Sequence, residues 1–345
     1  WDWKTAYEAC EAATVLFLRK YGRAMFRQAD TPVARLAALS KIAGLLPSHT
    51  RRSEESQALQ QFSTPVPLGF AALTAAAIGG DDLVLEPSAG TGLLAILAEI
   101  SGGSLIVNEL ADTRADLLSS LFPALSVTRF DAAQIHDHLD ACVVPSVVLM
   151  NPPFSAMANV TGKVQDAAFR HIASALARLA PGGRLVTITG AGFGPGMPAW
   201  RDTFVRLQER GRVVFSAAIE GSVYARHGTT FPTRLTVIDK ITADDPTCFP
   251  ASPGMAPDVA TILGWIADHV PPRATVDLPK PPSPTSPARS VRNYLARANA
   301  APAVRKPVAC PEAVELGYET IDAMPPDAAR LSDAIYEEYG LQSVR

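Results

Sequence analysis

A glycine-rich segment, Leu85–Gly92, directly follows the first strand-like run and reads Leu-Glu-Pro-Ser-Ala-Gly-Thr-Gly. Gly90 and Gly92 let the backbone turn tightly and approach a ligand where a side chain would collide. The helix that begins there is expected to offer free backbone amides as donors. The spacing fits a dinucleotide-binding loop, and a plain strand-to-helix turn is a second interpretation. Glu86 argues against the first, because a carboxylate would repel pyrophosphate but attract a cationic amino-acid moiety.

A second segment, Asn151-Pro152-Pro153-Phe154, follows the apolar run 147–150. Consecutive prolines fix the backbone and remove amide donors, which leaves carbonyl groups pointing outward. The carbonyls of Asn151 and Pro152 could then accept both hydrogens of an amino group, and Phe154 could stack on a planar ring. The bland interpretation is a proline-containing loop with a buried phenylalanine. It is disfavoured because the glycine loop is expected one sheet position away.

The elements that would position these segments alternate between strand and helix from Asp82 to Lys240. Short, almost wholly apolar strands separated by helices indicate a parallel sheet covered on both faces, with ligands beyond the carboxyl ends of the strands. Glu109 closes the second strand and could hold ribose hydroxyls there. The predicted strands are Leu83–Glu86, Leu105–Glu109, Ser126–Phe130, Val147–Met150, Arg184–Thr189, Val213–Ile219 and Leu235–Asp239.

The flanking segments differ from this core in composition. Residues 1–60 carry apolar residues at helical spacing and predict a helical N-terminal extension, with Thr31-Pro32 as a helix start. The core is assigned to 61–243. Prolines crowd the region after about residue 271, and 244–310 is expected to be an extended linker or arm. A short helical tail is expected within 311–345.

Composition limits the function classes. The net charge of −3 gives the 345-residue chain no overall attraction to nucleic acid. The four scattered cysteines lack metal-ligand or disulfide spacing, so neither a metal site nor a disulfide framework is expected. No apolar run approaches a membrane span and no signal peptide is visible, which predicts a cytoplasmic protein without a membrane partner. Because the chain starts at Trp1 and stops abruptly at Arg345, it is expected to be a piece of a longer protein.

The order of the motifs resembles that of N6-adenine DNA methyltransferases of the Asn-Pro-Pro-Phe type. The resemblance covers about residues 60–240 and rests on Gln61-Phe62-Ser63-Thr64-Pro65, the glycine loop, Asn108-Glu109, Asp131-Ala132 and Asn151–Phe154. The chain also looks like the methylase portion of bacterial strawberry-notch-like methylase/helicase proteins. The resemblance implies a doubly wound, Rossmann-like, seven-stranded class I methyltransferase sheet and S-adenosylmethionine as cofactor. A helicase-like region of the same full-length chain is an expected partner.

The resemblance also implies a role for each matching position. Phe62, Thr64 and Pro65 would border the methionine end of the cofactor, and Glu86 would lie near its amino group. Glu109 would hold the ribose, and Asp131 would bond the cofactor's adenine amino group. Asn151 to Phe154 would hold the target base. The other expected cofactor contacts are Pro87, Ala89, Gly90, Gly92 and Asn151 itself.

Outside these motifs, an aromatic and basic loop from Tyr224 to Phe231 could reach a flipped base or its phosphate, with Tyr224 and His227 as candidate substrate contacts. An ordinary surface hairpin is the equal alternative. The arginines of 201–212 could line a nucleic-acid path, although a solvated helix face explains them as well. No target-recognition domain is evident, so weak binding to single-stranded or opened DNA is expected.

The predicted reaction is direct methyl transfer to adenine N6. The extruded base stacks on Phe154 and donates its amino hydrogens to Asn151 and Pro152, and its nitrogen attacks the sulfonium methyl group in line. No covalent enzyme intermediate is needed. Three alternatives remain open: an RNA or protein-glutamine methyltransferase with the same device, a non-catalytic cofactor-binding module of a helicase-like protein, and, least favoured, an NAD dehydrogenase.

Overall fold

The strands of the central sheet follow the apolar runs of the sequence. The computed structural model describes residues 3–48, 63–153 and 167–276. β1 and β4 have the predicted bounds, and the other predicted strands are offset by short margins. The strands are β1 Leu83–Glu86, β2 Ser104–Asn108, β3 Val127–Thr128, β4 Val147–Met150, β5 Arg184–Gly190, β6 Arg212–Ile219, β7 Thr233–Asp239 and β8 Met255–Ala256.

The order of the strands is β3-β2-β1-β4-β5-β7-β6-β8. Strand β7 runs antiparallel between β5 and β6, and the other neighbouring strands pair in parallel. The first seven strands of this order form the predicted class I methyltransferase sheet, which is confirmed, and β8 extends it at one edge. The order reverses between β1 and β4, which is where a doubly wound sheet forms its ligand crevice.

The antiparallel strand departs from the simple alternation that predicts a parallel sheet. Only residues 220–232 connect β6 to β7, and they contain a 3₁₀-helix, Gly221–His227, instead of a long crossover helix. A parallel pair is usually joined by a crossover helix that packs on the sheet, and this connection holds only the 3₁₀-helix. The compact connection therefore returns β7 antiparallel to β6.

Helices cover the sheet, and further helices form an extension at the amino terminus of the chain. Helices α7 and α8 bury apolar side chains against Leu85, Val148 and Leu185 of the sheet, and α3 packs on β4 and β5. Among the described residues no helix is both long and apolar enough to span a bilayer. The helices are α1 Trp3–Gln28, α2 Pro32–Leu45, α3 Val66–Ala76, α4 Leu93–Ile100, α5 Asp112–Leu121, α6 Ile135–His138, α7 Ala167–Arg178, α8 Arg201–Gln208 and α9 Val259–His269.

The amino-terminal extension is helical, as predicted, and it packs closely on the core. Thr31 Oγ1 accepts the amide of Ala34 and caps α2 at the predicted position. A Cβ atom at Gly22 of α1 would lie 2.8 Å from the Ile100 side chain of α4, so the backbone of α1 packs directly against that side chain. Helix α1 is thus in a position to contribute to the edge of the sheet where α4 begins.

The segment expected to be a linker from residue 244 contains ordered structure. Strand β8 pairs with β6, and α9 packs on α3. Asp258 Oδ1 accepts the Thr261 amide at 2.8 Å as the cap of α9, and Ile262 and Ile266 are buried. The expectation was wrong for β8 and α9, because the crowded prolines begin at Pro271, after the amphipathic run of α9 rather than within it. The predicted tail and residues 277–310 of the proline-rich region lie outside the described residues.

We expect Gly92→Ala to destabilise the fold. Gly92 has a φ of +85°, and a Cβ there would lie 2.6 Å from Phe122 and 2.9 Å from Leu118. The backbone strain and the overpacking together should lower the free energy of unfolding by about 2–4 kcal/mol. Chemical denaturation measures the change. The matched control is Gly44→Ala in α2, where nothing lies within 4 Å; equal stability of the two variants would contradict the expectation.

Candidate active site

A pocket opens at the carboxyl ends of β1, β2 and β4, where the ligand crevice is expected. It encloses about 170 Å³. The predicted positions in its lining are Thr64, Glu86, Pro87, Ala89, Gly90, Glu109, Asp131, Asn151 and Pro153. The fold therefore brings most of the predicted cofactor positions to one site. Phe62 and Phe154 lie outside the described residues, while Gly92 supports the loop from behind the pocket.

The glycine loop has a sharp turn whose amides are already engaged. Gly90 has a φ of +56°, in the left-handed region that favours glycine. The Ala89 amide donates to the Asn108 carbonyl at 2.9 Å, the Gly90 amide to Glu109 Oε2 at 2.8 Å, and the Gly92 amide to the Ala89 carbonyl at 2.8 Å. These three amides of the loop, which precede the helix, are therefore engaged, and a pyrophosphate would find none of the three free.

Glu86 ends β1 beneath the loop and is 2% exposed. Burial raises the pKa of its carboxyl well above the usual range, although a hydrogen bond from the Ala95 amide of α4 lowers it in part. The negative charge of the nearby Glu109 raises it further. Its Oε2 atom is buried and has no hydrogen-bond partner among the described residues. Such a group costs free energy until a ligand satisfies it, and a cation would satisfy it best.

Glu109 lies one residue beyond β2, and its amide donates to the carbonyl of Thr128, the last residue of β3, at 2.9 Å. Its Oε2 accepts the Gly90 amide and its Oε1 accepts the Ala111 amide at 2.9 Å. Each carboxylate oxygen has a further lone pair to offer. Glu109 can therefore fix the glycine loop and still accept hydroxyl groups of a ligand, as predicted for the ribose.

Asn108, the last residue of β2, is fully buried and ties three strand ends together. Its Nδ2 donates to the carbonyls of Pro87 and Phe130, both at 2.9 Å. Its Oδ1 accepts the Thr128 hydroxyl and the Phe130 amide, both at 2.8 Å. The sequence placed Asn108 in a motif without a role; the structure makes it the residue that sets the spacing of the loops around the pocket.

Asp131 lies at the far end of the pocket, where it caps a 3₁₀ turn by accepting the Ala133 amide at 2.9 Å. His171 of α7 also lines the pocket, with its Nε2 4.0 Å from Asp131 Oδ1. Burial lowers the pKa of His171, so the imidazole is neutral at neutral pH and can accept as well as donate. Sequence reasoning missed His171 because a single histidine on an amphipathic helix carries no local signal.

Asn151, directly after β4, lies at the opposite wall of the pocket. Its Nδ2 donates to Thr64 Oγ1 at 3.0 Å and lies 3.5 Å from the Tyr224 hydroxyl. Thr64 is buried, and Pro65 follows it as the residue that precedes α3. Pro152 is buried and Pro153 lines the pocket. Because the side-chain nitrogen Nδ2 of Asn151 is directed to Thr64, the side-chain oxygen Oδ1 lies on the other side of the amide group.

The loop of Tyr224 and His227 is buried rather than reaching outward. Tyr224 is fully buried and His227 is 8% exposed; burial raises the pKa of the Tyr224 phenol, so it stays a neutral hydroxyl. His227 Nδ1 lies 2.7 Å from the Tyr7 hydroxyl of α1, and Arg226 donates to the carbonyls of Gly44 in α2 and of Leu46 directly after it. The amino-terminal helices cover these side chains, which excludes an ordinary surface hairpin for them, and a contact of Tyr224 or His227 with a flipped base or its phosphate stays a prediction.

The charged lining of the pocket is mainly acidic. Glu86, Glu109 and Asp131 face one arginine, Arg114 of α5. Glu8 of α1 pairs with that arginine at 2.9 Å, and both side chains are 9% exposed. The site therefore presents uncompensated negative charge to a ligand. Nothing in the local sequence pairs Glu8 with Arg114, because 106 positions separate them.

We expect Glu109→Ala to weaken cofactor binding by about 1.5–3 kcal/mol, the contribution of a hydrogen bond to a charged group. Isothermal titration measures the dissociation constant. Because Glu109 also holds Gly90 and Ala111, Glu109→Gln is the matched variant that retains one acceptor oxygen and should bind more tightly than Glu109→Ala. An unchanged dissociation constant in both variants would show that the ribose position is misassigned.

No protein-family model matches the chain, and no curated protein is similar to it in sequence. Solved structures align with the chain at low identity. A protein from Listeria monocytogenes described as a class I S-adenosylmethionine-dependent methyltransferase aligns at 13% identity over 68% of this chain and 77% of its own, with a TM-score of 0.46. A Pyrococcus horikoshii protein described as an RNA methyltransferase aligns at 16% identity over 60% and 98%, with a TM-score of 0.45. For the M protein of the type I restriction enzyme EcoKI the values are 16% identity, 68% and 62% coverage, and a TM-score of 0.40.

Proposed function

We propose that this protein is an S-adenosylmethionine-dependent methyltransferase that methylates an exocyclic amino group, with adenine N6 in DNA as its target. The observation that carries the proposal is that carboxylates of the protein itself accept backbone amides at the glycine loop. The protein's own carboxylates occupy amides that a dinucleotide phosphate would need, at Gly90 and at Ala95. What remains is an acidic pocket suited to a cationic ligand.

The residues of the pocket fit S-adenosylmethionine in chemical type. Glu86, whose buried Oε2 has no partner among the described residues, would accept the ammonium group of the methionine moiety. Glu109 would accept the ribose hydroxyls, and Asp131 the adenine amino group. Leu110, an exposed leucine in the pocket lining, offers an apolar surface for the adenine ring. The bound cofactor supplies an electrophilic methyl group that an amino nitrogen can take directly, without a covalent link to the protein.

The acceptor side of the site is built around Asn151. Thr64 accepts the hydrogen bond from the side-chain nitrogen of Asn151. The side-chain oxygen of Asn151 and the backbone carbonyl oxygen of Pro152 are then the acceptors offered to an amino group. Two such hydrogen bonds draw an aromatic amine toward tetrahedral geometry and localise its lone pair. Phe154 would stack on the ring that carries the amine. Positioning of the nitrogen, rather than acid–base chemistry, is the main contribution of these residues.

The Asn-Pro-Pro-Phe motif supports an aromatic amine, and the N6-adenine resemblance supports DNA. Among the arginines of 201–212, Arg212 begins β6 at the edge of the sheet opposite to the pocket, and Arg201 donates to the Thr247 carbonyl; neither lines the pocket. We therefore propose that the chain meets DNA weakly, as a single strand or opened duplex. A helicase-like region of the same protein would be a source of such DNA.

Binding of DNA to this chain should be weak, with little sequence preference and a steep salt dependence. A site that neutralises about three phosphates on a single strand should lose about 20-fold in affinity between about 50 and 200 mM salt. Single-stranded oligonucleotides should bind better than duplex, because base extrusion then costs least. Fluorescence anisotropy with oligonucleotides of several sequences measures this. Tight, salt-insensitive binding to one duplex sequence would reveal a recognition element in the chain.

The test of the proposed function is a substrate panel. The purified chain is incubated with methyl-labelled S-adenosylmethionine and, in parallel, with single-stranded DNA, duplex DNA, total RNA and a protein extract. Label in DNA is the expected result. Label in RNA or in protein glutamine would show that DNA is not the substrate, while the methylation of an amino group would stand. Cofactor binding without label in any fraction would identify a non-catalytic binding module.

A further inference from the structure

Helix α1 directs a row of buried polar side chains at the site, although it lies outside the methyltransferase core. Tyr7, Glu8 and Glu11 share one face of the helix, since positions three and four apart are neighbours. Each is less than a tenth exposed, and Glu11 is fully buried. Burial of two carboxylates by an added helix is expensive, and their arrangement indicates a role at the pocket.

Glu11 connects two walls of the cofactor pocket from behind. Its Oε2 accepts the Ser63 hydroxyl at 2.9 Å and the Thr91 hydroxyl at 3.0 Å. Ser63 precedes α3 and Thr91 lies in the glycine loop, and both line the pocket. Ser63 is adjacent to Thr64 and Pro65, the positions expected to border the methionine end of the cofactor. One layer of side chains therefore separates the Glu11 carboxyl from that end of the pocket.

The charge of Glu11 is not cancelled by an ion pair among the described residues. Arg114, whose charge acts on Glu11, pairs with Glu8 instead. Burial raises the pKa of the Glu11 carboxyl, while the field of Arg114 and the hydrogen bonds from the Ser63 and Thr91 hydroxyls favour the ionised form and oppose that rise. A charge in so little solvent is weakly screened, so it acts on a ligand at greater range than a surface charge does.

We propose that Glu11 is a specificity-determining residue that favours the cationic methyl donor over its demethylated product. The two ligands differ by one methyl group and by the positive charge on sulfur. A buried carboxylate behind Ser63 and Thr91 stabilises the sulfonium and contributes nothing comparable to the neutral thioether. Glu11 thereby limits inhibition by product. This inference rests on the proposed function, because it assumes a sulfonium cofactor in this pocket.

The test compares two dissociation constants, for S-adenosylmethionine and for S-adenosylhomocysteine, by isothermal titration of the wild type and of Glu11→Gln. The glutamine retains the shape and an acceptor oxygen but not the charge. It should weaken binding of the methyl donor by about tenfold, the effect of about 1.4 kcal/mol, and should change binding of the thioether by less than about twofold, since a neutral group feels little Coulomb attraction.

Ser63→Ala is the matched control, because it removes one hydrogen bond to Glu11 and retains the charge. It should shift the two dissociation constants by the same factor. Glu11→Asp, which keeps the charge, should retain the preference for the donor. If Glu11→Gln does not fold, as judged by circular dichroism, Glu11→Met replaces it as the uncharged variant of similar length.

Equal weakening of both ligands in the uncharged variant would overturn the inference and leave Glu11 a purely structural clamp. Loss of the preference in Glu11→Asp would overturn it as well. Binding of neither ligand by the wild type would instead overturn the proposed function itself, and this inference with it. The outcomes are therefore distinguishable in a single set of titrations.

Discussion

Replacing Asn151 with alanine is expected to lower the turnover number for methyl transfer by at least about 100-fold, the loss typical for an oriented acceptor or donor at the reacting centre. Affinity for the cofactor should change by less than about threefold, because the Asn151 carbonyl addresses the acceptor nitrogen. The small effect on the cofactor follows from the link of Asn151 to Thr64, which lines the same pocket. Single-turnover kinetics beside isothermal titration separate the two effects.

Thr64→Val is the matched variant for this experiment. It removes the acceptor at 3.0 Å from the Asn151 nitrogen and preserves the shape of the side chain. Asn151 then remains but is less well oriented, so turnover should fall less than in Asn151→Ala. Turnover near the wild-type rate in Asn151→Ala would contradict the assignment of the Asn-Pro-Pro-Phe motif. Equal loss of cofactor affinity and turnover would place Asn151 on the cofactor side.

Glu86→Gln is expected to weaken cofactor binding by about 10- to 150-fold, equivalent to about 1.5–3 kcal/mol for a hydrogen bond to a charged group. Wild-type affinity should also depend on pH. Burial raises the pKa of Glu86 in the empty protein, and an ammonium group opposite the carboxylate lowers it in the complex. Between these two pKa values binding releases a proton, so affinity rises with pH by up to about tenfold per unit.

Titration checks both the direction of this pH dependence and its assignment to Glu86. Below the pKa of the complex the carboxyl is protonated in both states, and above the raised pKa it is ionised in both, so affinity is flat outside the window. Calorimetry in two buffers of different ionisation enthalpy counts the released proton. Glu86→Gln should bind weakly and without this pH dependence, whereas Glu109→Gln should retain it. A pH-independent wild type with a tightly binding Glu86→Gln would exclude Glu86 from contact with a cation.

Local patterns in the sequence predict the sheet well. β1 and β4 are short apolar runs bounded by Asp82, the glycine loop and Asn151, so both period and boundary are visible locally. The positions of Glu86, Glu109 and Asn151 at strand ends follow directly, because the carboxyl ends of parallel strands share one edge. Helix α9 was missed since its cap, Asp258, and its buried stripe were read together with the prolines that follow.

The contacts that depend on tertiary packing could not be predicted. Glu11 meets Thr91 across 80 positions, and His227 meets Tyr7 across 220. Neither pair leaves a pattern in the sequence, and a buried glutamate on a helix looks like a solvated one until its neighbours are known. The same limit applies to the loop amides, whose engagement by Glu109 turns a dinucleotide-like loop into an acidic site.

The central claim is that an aromatic amino group receives a methyl group from S-adenosylmethionine at this site. Its most direct test uses a cofactor with a deuterated methyl group and two single-stranded oligonucleotides, one containing adenine and one with hypoxanthine, which lacks the amino group, at the same positions. Digestion to nucleosides and mass spectrometry should find trideuterated N6-methyldeoxyadenosine from the first oligonucleotide and no label in the second, with Asn151→Ala silent on both. Label in the hypoxanthine oligonucleotide, or equal label from Asn151→Ala, would contradict the account.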